Sequence, residues 1–376
     1  MILISFILCL VFIVYVYLGY PSILWFLTRN IQKRYPETEY EGDISIVMVV
    51  CNEADNIMNK IDNLKELEYS KGGLTFIIVD DCSDDNTVDL IQSSNFACQL
   101  IRSDQRLGKA NGINLAMEAA STELVAFVDC RQQLGLSVIE HLSSWFAEDP
   151  AVGAISGELM FKPASNTDFS GAVDGYWRYE KYIRKAEARY ASVPGVTGAL
   201  YMLRASTFKP IAINTLLDDV QIPMVSASQG YRIGYDDRAI AWDEPATSIE
   251  KEQRRKIRTL GGNYQLLMRF PYWVVPFFHP IAWQFFSHKI ARLLVPFIIL
   301  LSILLAFMLM TNYPLIAISY LSLLATGLFI IPLAYIYPEV RSFKLLKLIE
   351  SFILMNWFCF LAFLYYFFSH REGAWK

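Results

Sequence analysis

Four apolar residues, Phe76-Ile77-Ile78-Val79, run directly into two carboxylates, Asp80 and Asp81, and then into Cys82-Ser83-Asp84-Asp85-Asn86-Thr87. A short unbroken apolar run predicts a buried strand, and the polar cluster behind it predicts a turn that caps a helix. In an open parallel sheet, ligands sit outside the carboxyl ends of the strands. Asp80 and Asp81 are therefore placed where a nucleotide would be gripped. The pattern recurs at Leu124-Val125-Ala126-Phe127-Val128, which ends in Asp129. Two buried strands that deliver acids to one edge define a candidate site.

The residues on either side of these runs alternate in the same way. Ile44 to Val50 predicts a first strand, with Asn52 capping a helix that begins at Glu53. A helix over Thr87–Ser93, a short strand over Gln99–Ile101 and a helix opened by Gly108-Lys109-Ala110-Asn111-Gly112 and reaching Ala120 come next. Strands that alternate with helices of this length indicate βαβ units and a mostly parallel, Rossmann-like sheet. Beyond Asp129 the alternation loosens. Strands are expected over 151–161 and 231–235, helices over 170–190, from 218 to about 228, and over 249–268, with a glycine-flanked loop at 195–201 feeding a further strand.

Hydrophobic residues make up 54% of the 376 residues and the mean hydropathy is positive, which is too apolar for an ordinary soluble protein. Ile2 to Leu27 carry no charge and are long enough to span a bilayer. A signal peptide is the alternative, but the run lacks a basic start and has aromatics where a cleavage site needs small residues. Arg29, Lys33 and Arg34 follow, which places that end in the cytoplasm by the positive-inside bias. The expected domain plan is an anchor at 1–28, an α/β domain at 29–270, an interfacial amphipathic segment at 271–288 broken by Pro276 and Pro280, and three membrane helices within 289–376. Those three are Leu293–Met310, Leu315–Tyr335 and Ile349–Phe368, with Arg341, Lys344 and Lys347 between the last two on the domain side. The six cysteines show no paired C-x-x-C spacing and read as reduced thiols, with no zinc site or disulfide framework. A formal charge of −4 gives no hint of a nucleic-acid partner.

Six motifs in order carry a family resemblance: Cys51-Asn52-Glu53, Val79 through Thr87, Gly108-Lys109-Ala110, Val128-Asp129, Asp218-Asp219 and Gln253-Arg254-Arg255. Together they resemble glycosyltransferase family 2, and more narrowly its processive membrane enzymes: cellulose, chitin and hyaluronan synthases and the Nod-factor N-acetylglucosaminyltransferases. The resemblance implies a GT-A fold that binds a UDP-sugar and inverts at the anomeric carbon. It implies that Glu53, Asp81, Lys109, Asp129 and Arg131 hold the nucleotide-sugar, with Glu53 and Asp81 on the uridine. Asp129 matches the first acid of a D-x-D motif, which holds the diphosphate through Mg²⁺ or Mn²⁺. Its third position is Arg131 instead of a second Asp, so one metal-binding carboxylate is missing. The Arg131 fork has two alternatives, pairing with phosphate oxygens or binding Asp129.

Asp219 matches the family's catalytic base, with Asp218 beside it. An inverting transfer needs a carboxylate to take the acceptor hydroxyl's proton. Gly198 matches the acceptor loop, and Asp218, Gln253, Arg254, Arg255 and Lys256 fall among the acceptor and diphosphate positions. Lys256 and Ile257 stand where the family has Arg and Trp, so an aromatic platform for a growing glycan is absent from that position. The expected function is membrane-embedded transfer of a sugar from a UDP-sugar to a glycan acceptor in cell-surface polysaccharide synthesis. The alternatives are transfer to a polyprenyl-phosphate or other lipid, and a scaffold that kept the fold and lost catalysis. The expected setting is the inner (plasma) membrane, multi-pass, with the catalytic domain cytosolic and in contact with lipid. Four spans are few for a closed pore, which leaves room for a second copy or an accessory subunit.

Overall fold

The computed structural model describes residues 1–162, 170–244, 249–336 and 344–368. After a long apolar helix, α1 (Ile2–Thr28), the chain builds β1 (Ile44–Val50), α2 (Ile57–Lys65), β2 (Leu74–Asp80), α3 (Thr87–Ser93), β3 (Gln99–Arg102), α4 (Lys109–Ala119) and β4 (Leu124–Val128). β5 (Gln133–Leu134), α5 (Val138–Glu148), β6 (Val152–Phe161), α6 (Ser170–Tyr190), β7 (Leu200–Arg204), α7 (Asp218–Ser228), β8 (Arg232–Asp243) and α8 (Ile249–Arg269) complete the α/β part. The eight strands form one sheet in the order β3-β2-β1-β4-β7-β6-β8-β5.

β3, β2, β1 and β4 run parallel, and their register explains the site. Val50 lies opposite Asp80, and Met48 opposite Val128, so the acids that follow β2 and β4 emerge at one edge. β7 then runs antiparallel to β4 with Leu200 opposite Val128. That reversal brings the loop before β7 to the same edge, where the Asp129 amide faces the Ala199 carbonyl. Beyond it β6 and β8 pair in parallel, and β5 closes the far edge against β8.

Side chains alternate across the sheet with period two, as strands require. Val47, Val49, Ile77, Val79, Val125 and Phe127 pack with α4 and α7, whereas Ile46, Met48, Ile78, Ala126 and Val128 pack with α2 and α5. Each Val, Ile, Met or Phe side chain among them, buried on folding, contributes roughly 1.5–3 kcal/mol. Gly112 marks the closest approach of α4 to the sheet: a Cβ there would lie 2.5 Å from Val49 Cγ1. Gly112→Ala is expected to cost about 1–3 kcal/mol by overpacking, read as a fall in the midpoint of chemical or thermal unfolding.

Two expectations need correction. Asn52 does not cap a helix: it takes a left-handed conformation at φ 56°, its side chain accepts from the Asp84 amide, and the helix starts only at Ile57. The competing turn chemistry of residues 82–85 captures Asn52 before the helix can. The strand expected over 231–235 runs on through Asp243, because its second half pairs with Glu158–Phe161 across a bulge.

Among the described residues three helices are long and apolar enough to cross a membrane: α1, α9 (Ala282–Leu309) and Leu345–Phe368, the apolar length of α11 (Lys344–Phe368). A shorter apolar stretch, Pro314–Ile330, lies in α10 (Pro314–Ile336). α9 begins well before Leu293, so the polar residues Ser287, His288 and Lys289 belong to it; they occupy a π-helical turn, Phe285–Ile290. Arg341 lies outside the described residues. α1 packs along α9 and against α6, and α11 packs along α8, so the apolar helices abut the domain directly.

Candidate active site

The sheet edge, α6, α8 and the apolar helices enclose a cavity of about 1360 Å³. Asp129 reaches it from the end of β4 and Lys109 from the first turn of α4. Lys109 follows Gly108, whose φ of 93° supplies the sharp entry into that helix. Lys109 Nζ donates to Asp129 Oδ1 at 2.7 Å and stands 3.5 Å from Asp218 Oδ2. Burial works against the ammonium, but Asp129 and Asp218 outweigh it and hold the lysine pKa above its usual value. At a helix N-terminus an anion is stabilised and a cation is not, so the position of Lys109 is set by these carboxylates.

Asp218 and Asp219 are the first two residues of α7, where the helix dipole favours acids. The Val196 amide donates to the Asp219 carbonyl, tying the loop 195–198 to that turn. Burial, then the adjacent Asp218, push the Asp219 carboxyl up to about 6, while Lys109, Lys289 and Arg184 pull against the rise. Such a carboxylate accepts a proton readily near neutral pH. Asp218 Oδ2 is buried and takes no hydrogen bond among the described residues. The hydroxyl of Tyr201, which feels both acids, is likewise buried and unsatisfied.

Gly198 lies between these groups. A Cβ placed on it would sit 3.6 Å from Lys109 Nζ and 3.7 Å from Asp219 Oδ2, which is ordinary contact, and its backbone is not left-handed. The glycine is thus not demanded by the turn; it keeps open a gap between a cation and an acid. Gly198→Ala is expected to leave the unfolding midpoint nearly unchanged and to cut turnover at least tenfold, as steady-state kinetics beside a melting curve will show.

The other expected site residues divide. Glu53 and Arg131 line the cavity. Burial raises the Glu53 carboxyl above its usual range against the opposing pull of the Asn56 amide and Arg131. Arg131 binds neither Asp129 nor open solvent alone: its fork is bidentate on Asp243, Nε to Oδ1 at 3.0 Å and Nη2 to Oδ2 at 2.7 Å. Asp81 is not among the residues lining the cavity, and its two oxygens accept from the amides of Leu107 and Gly108. It shapes the turn that presents Lys109. Asp80 is fully buried and accepts from the Ser83 amide. On α8, Arg255 and Lys256 line the cavity together with Arg258, whereas Gln253 and Arg254 do not; Ile257 packs toward the core.

Asp243 is the residue that the sequence reading missed. It also accepts from Gln132 Nε2 at 3.0 Å, so it anchors the whole 131–132 segment. Lys60, buried and pushed down to about 8 by that burial, braces the same loop by donating to the Gln132 carbonyl at 2.7 Å. The signal for Asp243 was present: Ala239-Ile240-Ala241-Trp242 runs into this acid just as 76–79 runs into Asp80.

Asp129 offers a divalent ion a seat in chemical terms. Among the described residues no three carboxylate, histidine or cysteine side chains cluster as a protein-only metal cage. Mg²⁺ and Mn²⁺ at phosphate sites, however, take one or two carboxylates and draw the remaining oxygens from phosphate and water. Asp129 fits that mode: one oxygen is engaged by Lys109, and the second takes no hydrogen bond among the described residues.

Comparisons with known proteins agree with this geometry. Residues 45–211 match glycosyl transferase family 2. The poly-beta-1,6-N-acetyl-D-glucosamine synthase of Staphylococcus aureus (strain MSSA476) is 24% identical over 259 residues, 66% of this chain and 62% of that protein. The Staphylococcus epidermidis enzyme of the same name is 21% identical over 64% of this chain and 59% of its own length. The chain thus spans somewhat under two thirds of the curated relatives it matches. A mannosyltransferase from Pyrobaculum calidifontis, solved in complex with GDP-Man and Mn²⁺, superposes with a TM-score of 0.72 at 20% identity, covering 98% of this chain and all of that one. That likeness establishes the GT-A fold. With the acids and the lysine gathered at one sheet edge, residues 45–211 are those that match a glycosyl transferase family 2 domain, on a GT-A fold.

Proposed function

We propose that the protein is a membrane-embedded, inverting glycosyltransferase that moves a sugar from a nucleotide-sugar, a UDP-sugar by the family resemblance, to a hydroxyl of a glycan acceptor. The observation that carries this reading is the gap at Gly198. It places a half-buried cation bonded to Asp129 on one side and the Asp219 carboxyl, held near 6, on the other.

The donor diphosphate lies against Lys109 and the side of the Arg131 guanidinium that Asp243 leaves open, and the sugar occupies the gap. Asp219 accepts the proton of the acceptor hydroxyl as that oxygen attacks the anomeric carbon from the face opposite the leaving UDP. Asp218 keeps its neighbour's pKa high and remains bound to the Lys109 charge. Lys109 and Arg131 stabilise the charge that grows on the departing diphosphate, and their position ahead of the reaction spares the site reorganisation. A Mg²⁺ or Mn²⁺ bound through Asp129 would supply further charge neutralisation there. An acceptor hydroxyl needs this base, whereas a phosphate acceptor is already ionised, so the raised Asp219 favours the glycan reading over the bare lipid-phosphate alternative.

Arg29, Lys33 and Arg34 directly follow α1, and Lys347 opens the last apolar helix beside the cavity. These charges support a multi-pass protein of the plasma membrane with its sheet domain on the cytosolic side. The test is UDP release by the detergent-solubilised full chain, offered each common UDP-sugar in turn with Mg²⁺, with Mn²⁺ and with a chelator. Release with one donor names it. Release with none, from protein that remains folded, removes the reading.

A further inference from the structure

The end of the cavity nearest α1 and α9 holds a charge arrangement that the transfer chemistry leaves unused. Two acids of α6, Glu180 and Glu187, sit one helical face apart from Lys181 and Lys185, which turn away to Glu158. Glu180 accepts from His288 Nε2 at 2.5 Å and from Arg292 Nη1 at 2.8 Å. Glu187 accepts from the Tyr20 hydroxyl at 2.5 Å and pairs with His288 Nδ1 at 2.9 Å. Both carboxylates are therefore fully engaged by α1 and α9.

Two further cations line the cavity at this point without comparable partners. Arg184, one turn after Glu180 on α6, makes no hydrogen bond or ion pair among the described residues. Lys289 comes no closer than 3.8 Å to Glu180, whose oxygens are already taken. Their fields reach Asp219 from the α6 and α9 side, while Lys109 and Asp129 approach it from the sheet. Of the carboxylates within reach of these cations, Glu180 and Glu187 are engaged by His288, Arg292 and Tyr20, and Asp219 faces them only across the cavity. Cations held in a part-buried cavity without a close hydrogen-bonded counterion are costly, and a ligand anion between them lowers that cost.

We propose that the acceptor is an acidic saccharide, and that its phosphate or carboxylate docks between Arg184 and Lys289 while its hydroxyl meets Asp219. This rests on the transferase reading for the role of the hydroxyl, but the docking itself does not need turnover. The planar Arg184 fork suits either anion, bidentate, with Lys289 as a second point charge. The anion has two sources, the phosphate of a lipid-linked sugar or an acidic sugar within the glycan.

Binding is measured by calorimetry on the full chain in neutral detergent, without donor. The probes are a uronate-containing tetrasaccharide, a short-chain prenyl-diphosphate-linked disaccharide, and neutral tetrasaccharides of cello- and chito- type. The expected result is at least tenfold tighter binding of one acidic probe than of the neutral ones, weakening as salt rises. Arg184→Gln is expected to bring the acidic probe down to the neutral level, and Arg184→Lys to restore part of the difference, with melting curves of both variants as the control for folding. Which acidic probe binds identifies the source of the anion. Equal binding of acidic and neutral probes, binding of neither acidic probe, or an Arg184→Gln protein that keeps the preference overturns the proposal. Because no donor is present, that failure is separate from a failure to release UDP.

Discussion

Asp219→Asn lowers the transfer rate by about 10²–10⁴-fold, the range a positioned general base contributes, and leaves donor binding largely intact. The amide keeps the shape of the side chain at the first turn of α7 but cannot take a proton. The active form of Asp219 is the ionised one, and its pKa is raised to about 6 by burial and by Asp218. Wild-type kcat/KM therefore falls as pH drops through about 6 and reaches a plateau above it. In Asp219→Asn the residual rate loses that limb. Pre-steady-state transfer to acceptor across pH 5 to 8 on both proteins, with UDP affinity measured beside it, is the check. A mutant that retains wild-type turnover would assign the base elsewhere.

The physical reasons that made parts of this site readable from sequence also explain where reading stopped. Buried parallel strands announce themselves as apolar runs, so β1, β2 and β4 and the acids that follow them could be placed directly. Lys109 could be noticed because a cation at a helix N-terminus needs a reason, and the reason is Asp129 at 2.7 Å. Asp81 shows what such reasoning leaves out. An acid at the carboxyl edge of a strand is positioned for a ligand, yet its two oxygens serve the amides of Leu107 and Gly108, 26 and 27 residues on. Arg131 shows the same: the two alternatives set by local sequence were phosphate and Asp129, and the protein partner is Asp243, 112 residues away. Long-range pairings of this kind depend on which strands become neighbours. The antiparallel β7 and the long β8, which set those neighbours, carry weaker local patterns. The cations at 184 and 289 belong to the same class, since each looks like an ordinary helix-surface charge until α6 and α9 are packed.

Lys109→Met tests the electrostatic core of the site from the other side. The ammonium joins Asp129 and Asp218 and counters the rise in the Asp219 pKa. Its removal leaves three carboxylates facing one gap without their nearest cation. The pair is 22% and 34% exposed, between the surface and buried extremes, so the cost in stability is about 1–3 kcal/mol. The cost to function is larger. Loss of a preorganised charge on the leaving diphosphate slows turnover by roughly 10²–10³-fold, and the donor KM rises as well. The same change moves the base in a predictable direction. With the lysine's downward pull gone, Asp219 holds its proton to higher pH, so the acidic limb of kcat/KM shifts above 6. Lys109→Arg keeps the charge and therefore keeps the midpoint near 6, although its longer fork misplaces the diphosphate and lowers turnover. A pH profile of the two variants thus separates charge from shape. If both variants lose activity equally with no movement of the midpoint, Lys109 acts by filling space, and the cation facing Asp219 is not part of how the base is set.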